Sequence, residues 1–201
     1  NNPYAVGLFL VERGMEGFER GRNLKKMGMK AQDTAELFFK DVRIPKENVL
    51  GDATKGFIYL MEGLAEERLI GACGFLSGAH RAFEVTREFT MERKVFGKPA
   101  DLRTEIDVAQ AYVDQCVVAH NAGLLTSEDA AKAKLYTSEL LCKMVDEGVQ
   151  LHGGAGFMDE YPISRMYTDA RITRIFAGSS EIMKLIIGRD LYSDKFVSFF
   201  E

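Results

Sequence analysis

The sequence predicts a mainly α protein: a bundle of long helices preceded by part of a β-sheet domain. Three observations lead there. The stretch Thr54–Phe96 contains no proline, and Phe57, Met61, Leu64, Ala65, Leu69, Ala72, Phe75, Leu76, Ala79 and Phe83 recur in it at helical spacing. Beyond it, further helical patterns follow one another across short connections, which implies antiparallel neighbours. Before it, residues 5 to 51 carry short apolar runs bounded by glycine and proline, the signature of strands. The predicted boundary falls after Gly51, with residues 1–51 as the β portion and 52–201 as the helical bundle.

In chain order, Ala5–Val11 is an apolar run that reads as a strand. A glycine-rich turn, Arg13–Gly17, and a polar, basic segment, Gly21–Gly28, follow it. Thr34–Ile44 is a second, partly alternating strand, stopped by Pro45. Asp52 or Thr54 can cap the long helix, which Gly97 and Pro99 terminate. A second helix is predicted over 104–122. The segment Thr126-Ser127-Glu128-Asp129 caps a third, over 127–151, and Gly153-Gly154-Ala155-Gly156 breaks it. Pro162 opens a short helix to about residue 170, and Ser179–Leu191 is the last.

Composition excludes several classes. An apolar content of 46%, a charged content of 28% and a net charge of −4 lack the basic excess of a nucleic-acid binder. No apolar run approaches the roughly 20 residues needed to span a bilayer, and no targeting segment is recognisable. Cys73, Cys116 and Cys142 all lie in helical patterns and read as buried thiols of a reducing compartment. The three histidines, His80, His120 and His152, are scattered, so no metal site is expected.

Two features point to chemistry. Gly63, Glu67, Gly71, Gly74 and Gly78 fall within about 80° of one another on the long helix. Glycine costs a helix interior roughly 1 kcal/mol relative to alanine, so the stripe needs a reason. It is either a close helix crossing or a groove where a ligand lies against bare backbone, with Glu67 as its only charge. The second feature is a pair of glycine-containing breaks. Gln150-Leu151-His152-Gly153-Gly154 ends one helix, and Ala177-Gly178-Ser179-Ser180-Glu181 delivers hydroxyls and a carboxylate to the start of another, where free N–H groups can meet an anionic ligand. Read alone, the first is a C-cap and the second a serine N-cap.

Taken together, four segments resemble the acyl-CoA dehydrogenase family of flavoproteins. They are Lys26-Met27-Gly28 through Leu37–Pro45, Glu92–Pro99, Gln150–Gly154 and Arg174–Ile182. The resemblance covers essentially the whole chain. It implies the second half of a central β domain followed by a C-terminal four-helix bundle. It also implies oxidation of an acyl-CoA thioester to the 2-enoyl-CoA, with hydride passing to N5 of FAD and electrons onward to an electron-transferring flavoprotein. The family assembles as a homotetramer, a dimer of dimers, in the bacterial cytoplasm or the mitochondrial matrix.

The residue before the glycine of the last loop is the family's more common catalytic base, and here it is Ala177, which cannot take a proton. Branches similar to the isovaleryl-CoA and long-chain enzymes carry the base instead on the long helix, in a segment like Glu66-Glu67-Arg68-Leu69, which implies Glu67. Glu66 points about 100° away and reads as a solvated charge, whereas Arg68 falls on the apolar face and is expected to pair with a buried carboxylate or carbonyls. For FAD, the resemblance implies Arg93 at the pyrophosphate and Phe96 against the flavin, both across a subunit interface. It further implies Gln150, Gly153 and Gly154 at the adenine end, and Ser179 and Glu181 after the catalytic loop.

The chain also departs from the family. Pro99–Glu105 is about a dozen residues short, where a FAD-binding glutamine normally lies, and the N-terminal half of the family fold has no counterpart here. The physiological protein is therefore expected to be longer, and the second helix to be too short to cover the stripe around Phe83 and Phe89. A second reading from another class is a non-catalytic subunit that shares FAD or serves assembly; a glutamate at position 67 speaks against it. A relative that reacts with oxygen or runs in the reductive direction is a third.

Overall fold

The computed structural model describes residues 6–93 and 100–192, and it divides into two compact units, residues 1–63 and 64–201. The long helix runs out of the first into the second.

In the first unit, β1 (Phe18–Asn23) and β2 (Ala35–Phe39) form an antiparallel pair. Phe18 stands opposite Phe39, Glu19 opposite Phe38 and Arg20 opposite Leu37. The register slips by one residue before Asn23 meets Ala35, a local bulge. The Phe18 and Phe39 rings stack with centroids 5.0 Å apart. Gly17 enters β1 with φ +83°, and a Cβ there would lie 2.0 Å from the Lys40 carbonyl oxygen, so only glycine fits.

Two expectations for this unit are corrected. The stretch 6–11 is not a strand but an extended segment holding one bridge, Phe9 to Val49, flanked by the bonds Leu10 N–H to Asn48 O and Leu50 N–H to Leu8 O. Its bridge partner is the short segment after the 3-10 turn Lys46–Asn48, too brief to extend a ladder, and at its start the Val6 carbonyl accepts from the Gly56 N–H at 2.7 Å. The polar segment instead supplies β1, and β2 ends at Phe39 rather than Ile44, because Asp41 turns the chain at φ 53°. Just before the long helix, Asp52 Oδ1 accepts from the Thr54 N–H at 2.8 Å and the Thr54 hydroxyl at 2.7 Å. Those bonds hold the Asp52 carboxyl below its usual range.

The second unit is helical, as the sequence predicts. Its elements are α1 (Gly56–Arg93, beginning in the first unit), α2 (Ala100–Asn121), α3 (Ser127–His152), α4 (Pro162–Ala170) and α5 (Ser180–Leu191). Three boundaries have a visible local cause. Thr126 caps α3 by accepting the Asp129 N–H, Pro162 opens α4 at a position where its missing N–H is not needed, and Gly153 closes α3 at φ 60°.

The apolar face of α1 is buried from Leu69 onward. Phe75, Leu76, Ala79 and Ala82 pack with Ile106, Ala109 and Val113 of α2 and Leu140, Leu141, Met144 and Val145 of α3. A second cluster joins Leu69 and Ala72 to Cys116 and Ala133. Each large side chain so buried contributes about 1.5–3 kcal/mol. α3 is the central support: α2, α4 and α5 all pack on it, and α5 places Met183 in the interior. Phe83 packs against this core and Phe89 stacks on His152, so the predicted uncovering of that stripe does not occur. α2 starts at Ala100, earlier than expected, and that extra turn places Leu102 against the core.

Among the described residues no helix is long and apolar enough to cross a membrane, and no group of three or more His, Cys, Asp or Glu side chains could hold a metal.

Candidate active site

The loop between α4 and α5 is anchored to both α3 and α1. After the 3-10 turn Arg171–Arg174, the Ile175 and Phe176 N–H groups both return to the Ile172 carbonyl. Ala177 and Gly178 then take left-handed conformations in succession, φ 53° and 97°. For alanine that conformation costs about 1 kcal/mol or more, so the surroundings must impose it.

Three contacts do so. The Lys134 ammonium, on α3 and fully buried, donates to the Gly178 carbonyl at 2.7 Å. Glu139, five residues further along α3, accepts from Arg174 Nε at 2.8 Å and from the Ser180 hydroxyl at 2.6 Å. The Phe176 ring stacks on Phe75 of α1, centroids 5.7 Å apart. Burial pushes the Lys134 amine below its usual range; Glu139 and Glu181 oppose that shift, and the Arg68 cation adds to it.

Arg68 is the second buried cation. It is 6% exposed, its Nη1 donates to the Ser127 hydroxyl in the first turn of α3 at 3.4 Å, and among the described residues its Nε has no partner. The expected carboxylate or carbonyl partner is thus replaced by a single long bond to a hydroxyl. Burial lowers this guanidinium's affinity for its proton, and the adjacent Glu67 carboxylate opposes that.

Because Arg68 points inward, Glu67, 100° round the helix, is exposed. The glycine stripe beside it divides. At Gly78 an added Cβ would lie 3.2 Å from Leu141 of α3, a close crossing. At Gly74 it would meet nothing within 4 Å, and at Gly71 only the Phe75 ring of the same helix. Glu67 is exposed and Gly74 borders open space, while Gly71 is covered by the ring of Phe75, which stacks on Phe176. The close-crossing explanation of the stripe holds at Gly78, and at Gly74 the flank is open.

Of the residues expected to meet a cofactor, Ser179 and Glu181 lie together at the start of α5. The Ser179 hydroxyl bonds the Glu181 carboxyl and holds it below its usual range, so an ionised acceptor faces solvent there. Ser179 reaches the Ile182 N–H only at 3.5 Å, a marginal cap. Ser180, bonded to Glu139, is the anchoring serine.

Gln150, Gly153 and Gly154 lie elsewhere, at the far end of α3. Lys134 and Gln150 are 16 residues apart, about 24 Å along the helix. The Gly153 N–H returns to the Gln150 carbonyl, the Gln150 side chain is exposed, and a Cβ at Gly154 would meet nothing within 4 Å. Behind them His152 is buried, its Nδ1–H donating to the Gly148 carbonyl at 2.7 Å. The Arg93 side chain and Phe96 lie outside the described residues.

A dinucleotide fits this donor set. Bare backbone at Gly154 and an exposed carboxamide suit a heterocycle and its sugar, while the Ser179 hydroxyl and Glu181 carboxylate suit a polyhydroxyl chain. The two groups stand too far apart to meet the same few atoms. They could contact one elongated molecule at its two ends, or two copies of it.

The contributors the sequence reading missed are Lys134, Glu139, Arg174 and Ser180. Lys134 had a signal: it shares a helix face with Ala130, Thr137 and Leu141, so a lysine stands on the buried side of the pattern.

Comparisons with known proteins identify the family and the fold. A family model for the acyl-CoA dehydrogenase C-terminal domain matches residues 54–192. The chain is 48% identical to the mitochondrial long-chain specific acyl-CoA dehydrogenase of Mus musculus, over 95% of this chain and 47% of that protein. It thus spans about half the length of the curated relatives it matches. Among solved structures, an acyl-CoA dehydrogenase from Geobacillus kaustophilus superposes with a TM-score of 0.90 at 41% identity, covering 93% of this chain and 52% of the other. An acyl-CoA dehydrogenase complexed with FAD, from Bacillus anthracis, gives a TM-score of 0.83 at 34% identity over 91% of this chain and 37% of the other.

Proposed function

Since this chain belongs to the acyl-CoA dehydrogenase family, we propose that the protein oxidises an acyl-CoA thioester to the trans-2-enoyl-CoA, with Glu67 as the base. The observation that carries the reading is the setting of Glu67. It is exposed on the flank of α1 that stays open at Gly74, on the helix whose Phe75 stacks on Phe176 of the 175–180 loop, in a chain whose other candidate position holds Ala177. Bare backbone lets a thin substrate lie close to the helix, and the glutamate is the charged group of that flank.

Glu67 takes the proton from Cα of the thioester. FAD, when bound, supplies the acceptor for the hydride that leaves Cβ, and the C–C double bond closes between them. Ser179 and Glu181 at the start of α5, and Gln150 with the Gly153–Gly154 backbone at the end of α3, would hold the FAD, with Arg93 and Phe96 completing the set. That set would be shared between protomers of a homotetramer. The reading extends to an electron-transferring flavoprotein as the next electron carrier, to a bacterial cytoplasm or mitochondrial matrix as the setting, and to residues 1–51 and 52–201 as the β and helical domains.

The test is Glu67→Gln in the purified holoprotein, mixed anaerobically with a series of acyl-CoA thioesters. FAD content and thioester binding should match the parent, while flavin bleaching slows by roughly 10²–10⁴-fold, the range for loss of a general base. Bleaching at the parent rate would remove Glu67 from the mechanism.

A further inference from the structure

α3 carries two side chains that act on the 174–180 segment and one that acts on α1. In order along the helix, Ser127 receives Arg68, Lys134 holds the Gly178 carbonyl, and Glu139 takes Arg174 and Ser180. The residue next to Arg68 is Glu67, and the residue before Gly178 is Ala177. One rigid helix therefore sets the position of the α1 segment that bears Glu67 and of the loop beside it.

Lys134 is the unexpected member. Its amine has no carboxylate partner in the described structure; its hydrogen bond goes to a neutral carbonyl, and a second buried cation, Arg68, lies within electrostatic reach. An ammonium so placed costs more to desolvate than a neutral donor would. What it supplies is a strong, charge-assisted bond to one carbonyl, and that carbonyl belongs to the second of two consecutive left-handed residues. Removing that bond leaves Ala177 free to relax toward an ordinary conformation, because nothing local favours φ 53° for alanine.

We propose that Lys134 is a positioning residue of the dehydrogenation site: with Glu139 it clamps the Ile175–Ser180 loop to α3 in the one conformation that serves the reaction at Glu67. This rests on the dehydrogenase reading above. Lys134 touches neither base nor substrate; it acts through Gly178. Glu139 holds the two flanks of the loop and Lys134 its apex, so neither alone defines the conformation.

The experiment compares the parent holoprotein with Lys134→Met, which keeps the length of the side chain and removes the charged donor. Amide hydrogen exchange of the peptide covering 175–180 should quicken at least 10-fold, with α1 and α3 peptides unchanged. At the same flavin content, kcat per bound flavin should fall at least 10-fold with KM for the thioester little altered. Loop exchange equal to the parent's would overturn the clamp. Faster exchange with kcat per flavin unchanged would make Lys134 purely structural and would also overturn the proposal. Should Lys134→Met fail to fold, Lys134→Gln, which keeps a neutral donor, takes its place in the same two measurements. A parent that oxidises no thioester would defeat the dehydrogenase reading instead, and the exchange measurement would still decide the clamp.

Discussion

The His152 ring lies flat on Phe89, centroids 4.1 Å apart and planes 21° from parallel, joining the last residue of α3 to the last turns of α1. Tyr161 closes the cluster edge-on to both rings. Gly153 and Gly154 follow His152 directly, so this stack supports the backbone that the proposed function gives to FAD. Phe89→Ala should cost about 2 kcal/mol in urea unfolding, below the 3–5 kcal/mol of a fully buried phenylalanine because Phe89 is only half-buried. FAD retention should fall with it, measured as flavin absorbance per protein after gel filtration.

The divided glycine stripe makes a paired prediction. Gly74→Ala adds a methyl into open space and should raise stability by roughly 0.5–1 kcal/mol through helix propensity. Gly78→Val drives its side chain toward Leu141 and should cost about 1–3 kcal/mol. If the open flank receives a thioester, Gly74→Phe should raise KM while leaving the unfolding midpoint near that of the parent. Thermal melts and initial rates of the three variants decide the matter.

Relocating the base is a sharper trial of the site than deleting it. Glu67→Gly with Ala177→Glu should recover part of the activity lost in Glu67→Gly alone. The recovery should be incomplete, because glutamate at φ 53° carries a strain of about 1–3 kcal/mol. No recovery, with the flavin bound, would mean the two positions do not address the same carbon.

The acid limb of stability should depend on Asp129. Burial pushes its carboxyl up, but hydrogen bonds from the Thr126 hydroxyl and Lys132 outweigh that and hold it below the usual 3.8. A carboxyl depressed in the folded state stabilises above its unfolded value and loses that contribution as pH falls through the folded one. Between pH 5 and pH 2 the parent should therefore lose more unfolding free energy than Asp129→Asn. Denaturant titrations at stepped pH would show it.

The helices were readable because their ends carry their own chemistry: Thr126, Gly153 and Pro162 act within a turn of where they stand. The strand at Phe18–Asn23 was hidden by Glu19, Arg20 and Arg22, which leave no apolar alternation to detect. The apolar run at 6–11 misled for the complementary reason, since its hydrophobicity says nothing about whether a partner of equal length exists. At the site, Glu67 emerged from its glycine neighbours and its family segment, both local in sequence. Lys134, Glu139 and Ser180 did not, because their partners lie about 35 to 45 residues away and only folding brings them together. Lys134 nevertheless left a trace, as a cation on the apolar face of α3.

The placement of Ser127, Lys134 and Glu139 on a single helix has a bearing on which length changes the chain can absorb. One residue inserted between Ser127 and Glu139 advances everything after it by about 1.5 Å and turns it by 100°. A charge that met a carbonyl would then face a neighbouring helix. The same insertion in the Gly123–Leu125 link changes no phase, since that link is exposed or half-buried and outside both helices. Insertions and deletions should therefore accumulate among homologues at 122–126 and be absent across 127–139, a pattern of gaps rather than of residue identities.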